Sequence, residues 1–109
     1  MPQQAEAPPG RASDGPEPWH VLRFRGELDC ARAGGLRRAI DEKLALSDRP
    51  RLAIDLGDVS FCDSYGLSVL VYAAKKVRER DGTLLLSSVS RQVRMLIERC
   101  GLQRLLTLP

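Results

Sequence analysis

Apolar residues recur along the chain in two rhythms, one of two residues and one of three to four. The places where the rhythm changes mark its elements. Residues 19–25 (WHVLRFR) read as a strand, with Leu22 and Phe24 on one face and Val21 on the other. Gly26-Glu27-Leu28-Asp29 leads from it into a helix with Asp29 as its cap. There Ala33, Leu36, Ile40 and Leu44 form one stripe, while Arg32, Arg37, Asp41 and Lys43 lie away from it. Gly34-Gly35 weakens the first turns of that helix, and Ser47-Asp48-Arg49-Pro50 is a loop. Leu52, Ile54 and Leu56 alternate with Arg51, Ala53 and Asp55 as a second strand. Gly57 and Asp58 loosen or end it, and Val59, Phe61 and Cys62 make a short apolar step beyond. Then Leu67, Leu70, Val71, Ala74 and Val77 recur at helical spacing. Asp81-Gly82 turns the chain into residues 83–87, where Leu84-Leu85-Leu86 is apolar on both faces, as in an interior strand. Ser90 caps a third helix with the stripe Val93, Leu96, Ile97 and Cys100, and Gly101 suits its C′ position. Residues 102–108 read as a last short strand. Residues 1–18, rich in Pro, Ala, Gly and Gln, show no periodicity and read as a disordered tail.

Strands that alternate with helices imply an α/β fold with a mostly parallel sheet, whose sites lie outside the carboxyl ends of its strands. The Asp63-Ser64-Tyr65-Gly66 stretch occupies such a place, between the second strand and the second helix. Asp and Ser are preferred helix N-caps, because their oxygens accept from amides left free in the first turn. The same amides, at the positive end of the helix dipole, make a seat for an anion. A phosphate on Ser64 would bring nearly two negative charges to it. Gly66, without a β-carbon, lets another backbone approach the helix start. These four residues fit either a simple cap or a modification site.

Composition narrows the function classes. With 109 residues the chain supports one domain, and aromatics at 5% leave the core to aliphatic side chains. Seventeen basic residues against 14 acidic ones give a formal charge of +3, too small an excess to imply a nucleic-acid partner. Lys75, Lys76, Arg78 and Arg80 cluster where cations complement the end of a helix. Cys30, Cys62 and Cys100 form no C-x-x-C pair and His20 is the only histidine, so no metal site, cofactor or disulfide framework is expected. The thiols read as buried, reduced hydrophobes in a cytoplasmic protein, and no apolar run suggests a signal peptide or a membrane span.

Taken in order, these parts resemble a STAS domain, the fold of bacterial anti-sigma factor antagonists. The resemblance covers residues 21–106 and rests on Arg25 to Asp29 (RGELD), Asp55-Leu56 and Val59 to Leu67 (VSFCDSYGL). Gly82, Ser90 and Gly101-Leu102 complete it. It implies a mixed, mostly parallel sheet with helices packed on it, in a domain spanning residues 19–109. Such antagonists are not enzymes. The unphosphorylated form binds an anti-sigma factor that is also a serine kinase and frees the sigma factor. Phosphorylation breaks the contact, and a PP2C-type phosphatase restores it. The matching acceptor here is Ser64. Asp29, Asp63, Tyr65 and Gly66 would flank it on the partner-binding surface.

Three features depart from the family pattern: Tyr65 replaces a small residue, the Pro-rich tail replaces a first strand, and no C-terminal helix follows. The apolar area left open would suit a partner or a second copy in a homodimer. A hydrolase with Ser64 as nucleophile fits poorly, because Cys62 stands where a nucleophile elbow needs Gly. A phospho-Asp receiver lacks its acidic pair and strand-end lysine. The other reading is a STAS subunit of a transport ATPase or larger signalling assembly, without a sigma circuit.

Overall fold

A computed structural model of the chain describes residues 18–108, so the expected tail lies outside them except for Pro18. The elements are β1 (Trp19–Leu28), α1 (Ala33–Leu44), β2 (Arg51–Cys62), α2 (Ser64–Glu79), β3 (Thr83–Val89) and α3 (Arg91–Arg99). The strands pair in the order β1-β2-β3, and both pairings are parallel. One face of the sheet carries the core. Leu52, Ile54 and Leu56 of β2 and Leu86 of β3 are buried there with Ile40 of α1, Leu70 of α2 and Ile97 of α3. On the other face Arg51 covers the Trp19 ring at 4.3 Å, Arg23 pairs with Asp55 at 3.1 Å, and Val21 and Leu85 are exposed.

Four details differ from the pattern read along the sequence. β2 does not end at Gly57-Asp58 but runs on to Cys62. Its register against β3 shifts between Ile54 and Asp55, and the Asp55 carboxylate accepts the Gly57 N–H at 2.9 Å. That bond keeps a backbone donor satisfied at an irregular position, so the strand bends without stopping. The Gly57 amide, ahead of Arg23, holds the Asp55 carboxyl below its ordinary value. β3 is an edge strand among the described residues, not an interior one: Leu84 and Leu86 point inward and Leu85 outward. β1 likewise runs three residues past Arg25, to Leu28, through positive-φ Gly26. Residues 102–108 form turns instead of a strand; Leu106 N–H donates to the Leu102 carbonyl at 3.0 Å and Leu106 is fully buried.

The helix ends are better matched to the sequence. Ser90 caps α3 through the Val93 N–H, and Gly101 takes a φ of +70° just beyond its end. α1 starts at Ala33, and Asp29 instead closes the turn before it, accepting from Ala31 and Arg32 N–H at 3.1 Å each. Arg80, read as one of a basic cluster, reaches across to the end of α1 and donates to the Leu44 and Ser47 carbonyls at 2.6 and 2.5 Å. One guanidinium thus satisfies two carbonyls at a helix terminus. Arg80→Ala is expected to cost about 1–3 kcal/mol, read from the midpoint of urea unfolding. An unchanged midpoint would mean water serves those carbonyls equally well.

Candidate functional site

β2 delivers Cys62 and Asp63 to the carboxyl end of the sheet, and α2 begins at Ser64. Asp63 adopts extended backbone angles and caps the helix. Its Oδ1 accepts the Gly66 N–H at 2.9 Å, and its carbonyl accepts the Leu67 N–H at 2.9 Å. The alternatives left open between Asp63 and Ser64 therefore resolve: Asp63 is the cap, and Ser64 is the first helical residue. Asp63 also reaches sideways, where Oδ2 accepts the Cys30 N–H at 3.0 Å. One carboxylate ties the start of α2 to the turn between β1 and α1. A second tie, Asp63 N–H to the Leu28 carbonyl at 3.2 Å, runs beside it.

Gly66 faces the same junction. A β-carbon there would run into the Leu28 carbonyl oxygen and lie 2.7 Å from Leu28 Cγ and 2.9 Å from Cys62 Sγ. The close backbone approach expected at this glycine is that of Leu28, at the end of β1. Gly66 is thus buried and shapes the junction from within, while Ser64 and Tyr65 face outward. Tyr65 is 62% exposed. Among the described residues the Ser64 side chain makes no hydrogen bond, so its hydroxyl is unencumbered. An open groove of about 450 Å³ starts at Ser64 and runs along Leu67, Ser68, Val71, Tyr72 and Lys75.

Of the five residues singled out from the sequence, the fold brings four to the start of α2 and joins the fifth, Asp29, through the turn at Cys30. Asp29 is half-buried and spends its carboxylate on its own turn. The amide seat at the helix start is partly filled, since Asp63 already holds the Gly66 N–H. A phosphate on Ser64 would lie beside that carboxylate and project its charge outward. Sequence reading missed the backbone of Cys30 and Leu28, which hold the junction, and Ser68 and Lys75 along the groove. Helical spacing from Ser64 would have found Ser68; nothing local marks the Cys30 amide.

Asp63→Asn tests the tie. An amide keeps one acceptor but must turn an N–H toward Gly66 or Cys30, leaving a donor facing a donor. The expected loss is about 1–3 kcal/mol, measured by denaturant titration, and a wild-type value would show the two bonds are dispensable. The cysteines also part company. Cys30 and Cys100 are exposed, against the expectation that all three are buried, because Cys30 lies in the turn before α1 and Cys100 in the turn after α3. Cys62 alone is buried, and desolvation first, with the Asp63 charge second, raises its thiol to about 11. Native alkylation with N-ethylmaleimide, followed by peptide mapping, should modify Cys30 and Cys100 and spare Cys62. Prompt labelling of Cys62 would show that the junction opens.

No described helix is long and apolar enough to cross a membrane. The chain is similar to an anti-sigma-B factor antagonist of Listeria monocytogenes, 38% identical over 77 residues, covering 71% of this chain and 67% of that protein. It is 26% identical over 86 residues to an anti-sigma F factor antagonist of Paenibacillus polymyxa, covering 79% and 74% respectively. Its fold matches the anti-sigma factor antagonist SpoIIAA in its unphosphorylated form, with a TM-score of 0.69 at 23% identity over 79% of this chain and 75% of that one. It also matches a sulfate transporter family protein from Wolinella succinogenes, with a TM-score of 0.63 at 17% identity over 87% of this chain and 78% of that one. The sequence model of the STAS domain matches residues 12–109, and the chain belongs to that family.

Proposed function

We propose that this protein is an anti-sigma factor antagonist switched by phosphorylation of Ser64. The unmodified form binds an anti-sigma factor that is also a serine kinase and so releases the sigma factor. Phosphate on Ser64 ends that binding, and a PP2C-type phosphatase reverses it. The protein is the regulated partner and carries out no catalysis itself. The observation that carries the reading is the outward-facing, unbonded hydroxyl of Ser64 at the first position of α2, beside a cap that is already complete. The acceptor can be modified without dismantling the helix start. Its surroundings, exposed Tyr65 and the groove past Ser68 and Lys75, give a partner both apolar and polar purchase. Asp63, Gly66 and Asp29 serve the surface by fixing the shape of its two loops. The relatives named as antagonists support the role.

The test is incubation with ATP and candidate anti-sigma kinases, followed by intact-mass measurement and peptide mapping. One phosphate, on Ser64, is the expected result. Modification elsewhere, or none alongside tight binding to another assembly, would favour the second reading: a STAS regulatory subunit of a transport ATPase or larger complex. The fold shared with the sulfate transporter family protein favours that reading.

A further inference from the structure

The outer edge of β1 lies away from the Ser64 groove and shares no lining residue with it. Among the described residues β1 pairs only with β2, so one side of its backbone has no neighbouring strand. Leu22 and Phe24 belong to the core face yet remain half-buried, with no described strand beyond them. Next to them, Ala31, Gly35 and Ala39 follow one another along α1 and its approach, too small to close the gap. The result is an open groove of about 330 Å³ between β1 and α1.

Its rim is cationic. Arg23, Arg32 and Arg38 all line it. Arg23 is matched by Asp55 at 3.1 Å. Arg32 lies over the Phe24 ring at 4.5 Å and donates to the Glu27 carbonyl at 3.3 Å, with no carboxylate against it among the described residues. Arg38 makes no ion pair or hydrogen bond among the described residues. An unpaired strand edge, an apolar floor and two guanidiniums without carboxylates together describe an acceptor for a strand that alternates apolar and acidic residues. A second copy of this chain fits badly, since pairing β1 with β1 would set two cationic rims together.

We propose that the β1 edge and the β1–α1 groove bind an extended acidic segment of a partner protein by strand addition. The partner's backbone continues the sheet beside β1. Its apolar side chains cover Leu22 and Phe24, and its carboxylates meet Arg32 and Arg38. The site is independent of Ser64 and of the switch proposed there.

The probe is a short alternating Glu-Val peptide, titrated at low salt into the isotope-labelled full chain and followed by amide NMR. Shifts confined to Trp19–Leu28 and the groove side of α1 are expected, with no response to the matching Lys-Val peptide. Arg38→Glu, at an exposed position without partners among the described residues, should keep the unfolding midpoint and weaken binding about tenfold or more. Absence of binding, equal response to the Lys-Val peptide, or shifts elsewhere would overturn the proposal. So would slow hydrogen exchange at the outer β1 amides of the free protein, which would show the edge already filled by residues 1–17 or by a second copy.

Discussion

Gly66→Ala is expected to be among the most damaging single-methyl changes in the protein. The added carbon would meet the Leu28 carbonyl oxygen, with Leu28 Cγ and Cys62 Sγ at 2.7 and 2.9 Å. None of these can yield cheaply. The Leu28 carbonyl is fixed by the Asp63 N–H, and Leu28 is completely buried at the end of β1. Cys62 is buried as well, on the last residue of β2. Relief would require α2 to move away from the sheet, which would break the Gly66-to-Asp63 cap and loosen the tie to Cys30. Overpacking a core usually costs about 1–3 kcal/mol, and a clash with backbone belongs at or above the top of that range. For a domain of this size that corresponds to roughly 12 °C or more of melting temperature. Gly35→Ala is the control: its β-carbon would meet only the tip of Arg38 at 3.9 Å, so helix propensity should make it neutral or stabilising. Equal melting temperatures for the Gly66 variant and wild type would mean that the junction is far softer than its packing implies.

Most of this junction was legible in the sequence, and what was not shows where local reasoning stops. The change from alternation at Leu52-Ile54-Leu56 to helical spacing from Leu67 onward located the site, and Asp63-Ser64 carried the chemistry of a cap. The choice between those two residues is set by the folded geometry and not by residue type, because either side chain can accept from the first turn. Gly57-Asp58 misled because their composition signals a break, whereas the bulged amide is caught by Asp55 two residues earlier. Leu84-Leu85-Leu86 misled for another reason. A short apolar run has no period, so it cannot distinguish an edge strand from an interior one. In residues 102–108 the pair Leu102 and Leu106 fits a helical turn as well as a strand; Leu106 is fully buried, while Leu102, Leu105 and Leu108 pack against the core half-buried. The bond from Cys30 to Asp63 spans 33 residues, so nothing in the neighbourhood of either residue announces it.

Ser64→Asp should separate stability from binding, which makes it the sharpest test of the proposed switch. Ser64 is the first residue of α2, where an acidic side chain is favoured by the helix dipole by about 0.3–1 kcal/mol. Its hydroxyl makes no hydrogen bond among the described residues, so the substitution removes none there. The variant should therefore unfold at or slightly above the wild-type midpoint. Binding should behave in the opposite way. The new carboxylate would sit beside Asp63, whose charge is already committed to Gly66 and Cys30 and cannot turn away. A partner closing over Ser64 would have to desolvate two adjacent anions, and unfavourable charge of this kind costs several kcal/mol. The affinity for the anti-sigma partner, measured by calorimetry, should fall by on the order of 100-fold or more. Ser64→Asn adds comparable bulk without charge and should bind within a few-fold of wild type, while Ser64→Ala should bind normally and resist the kinase. Equal losses in the Asp and Asn variants would assign the effect to size, and the electrostatic switch would be wrong. Undiminished binding by all three would place the partner elsewhere on the domain and leave Ser64 without a regulatory role.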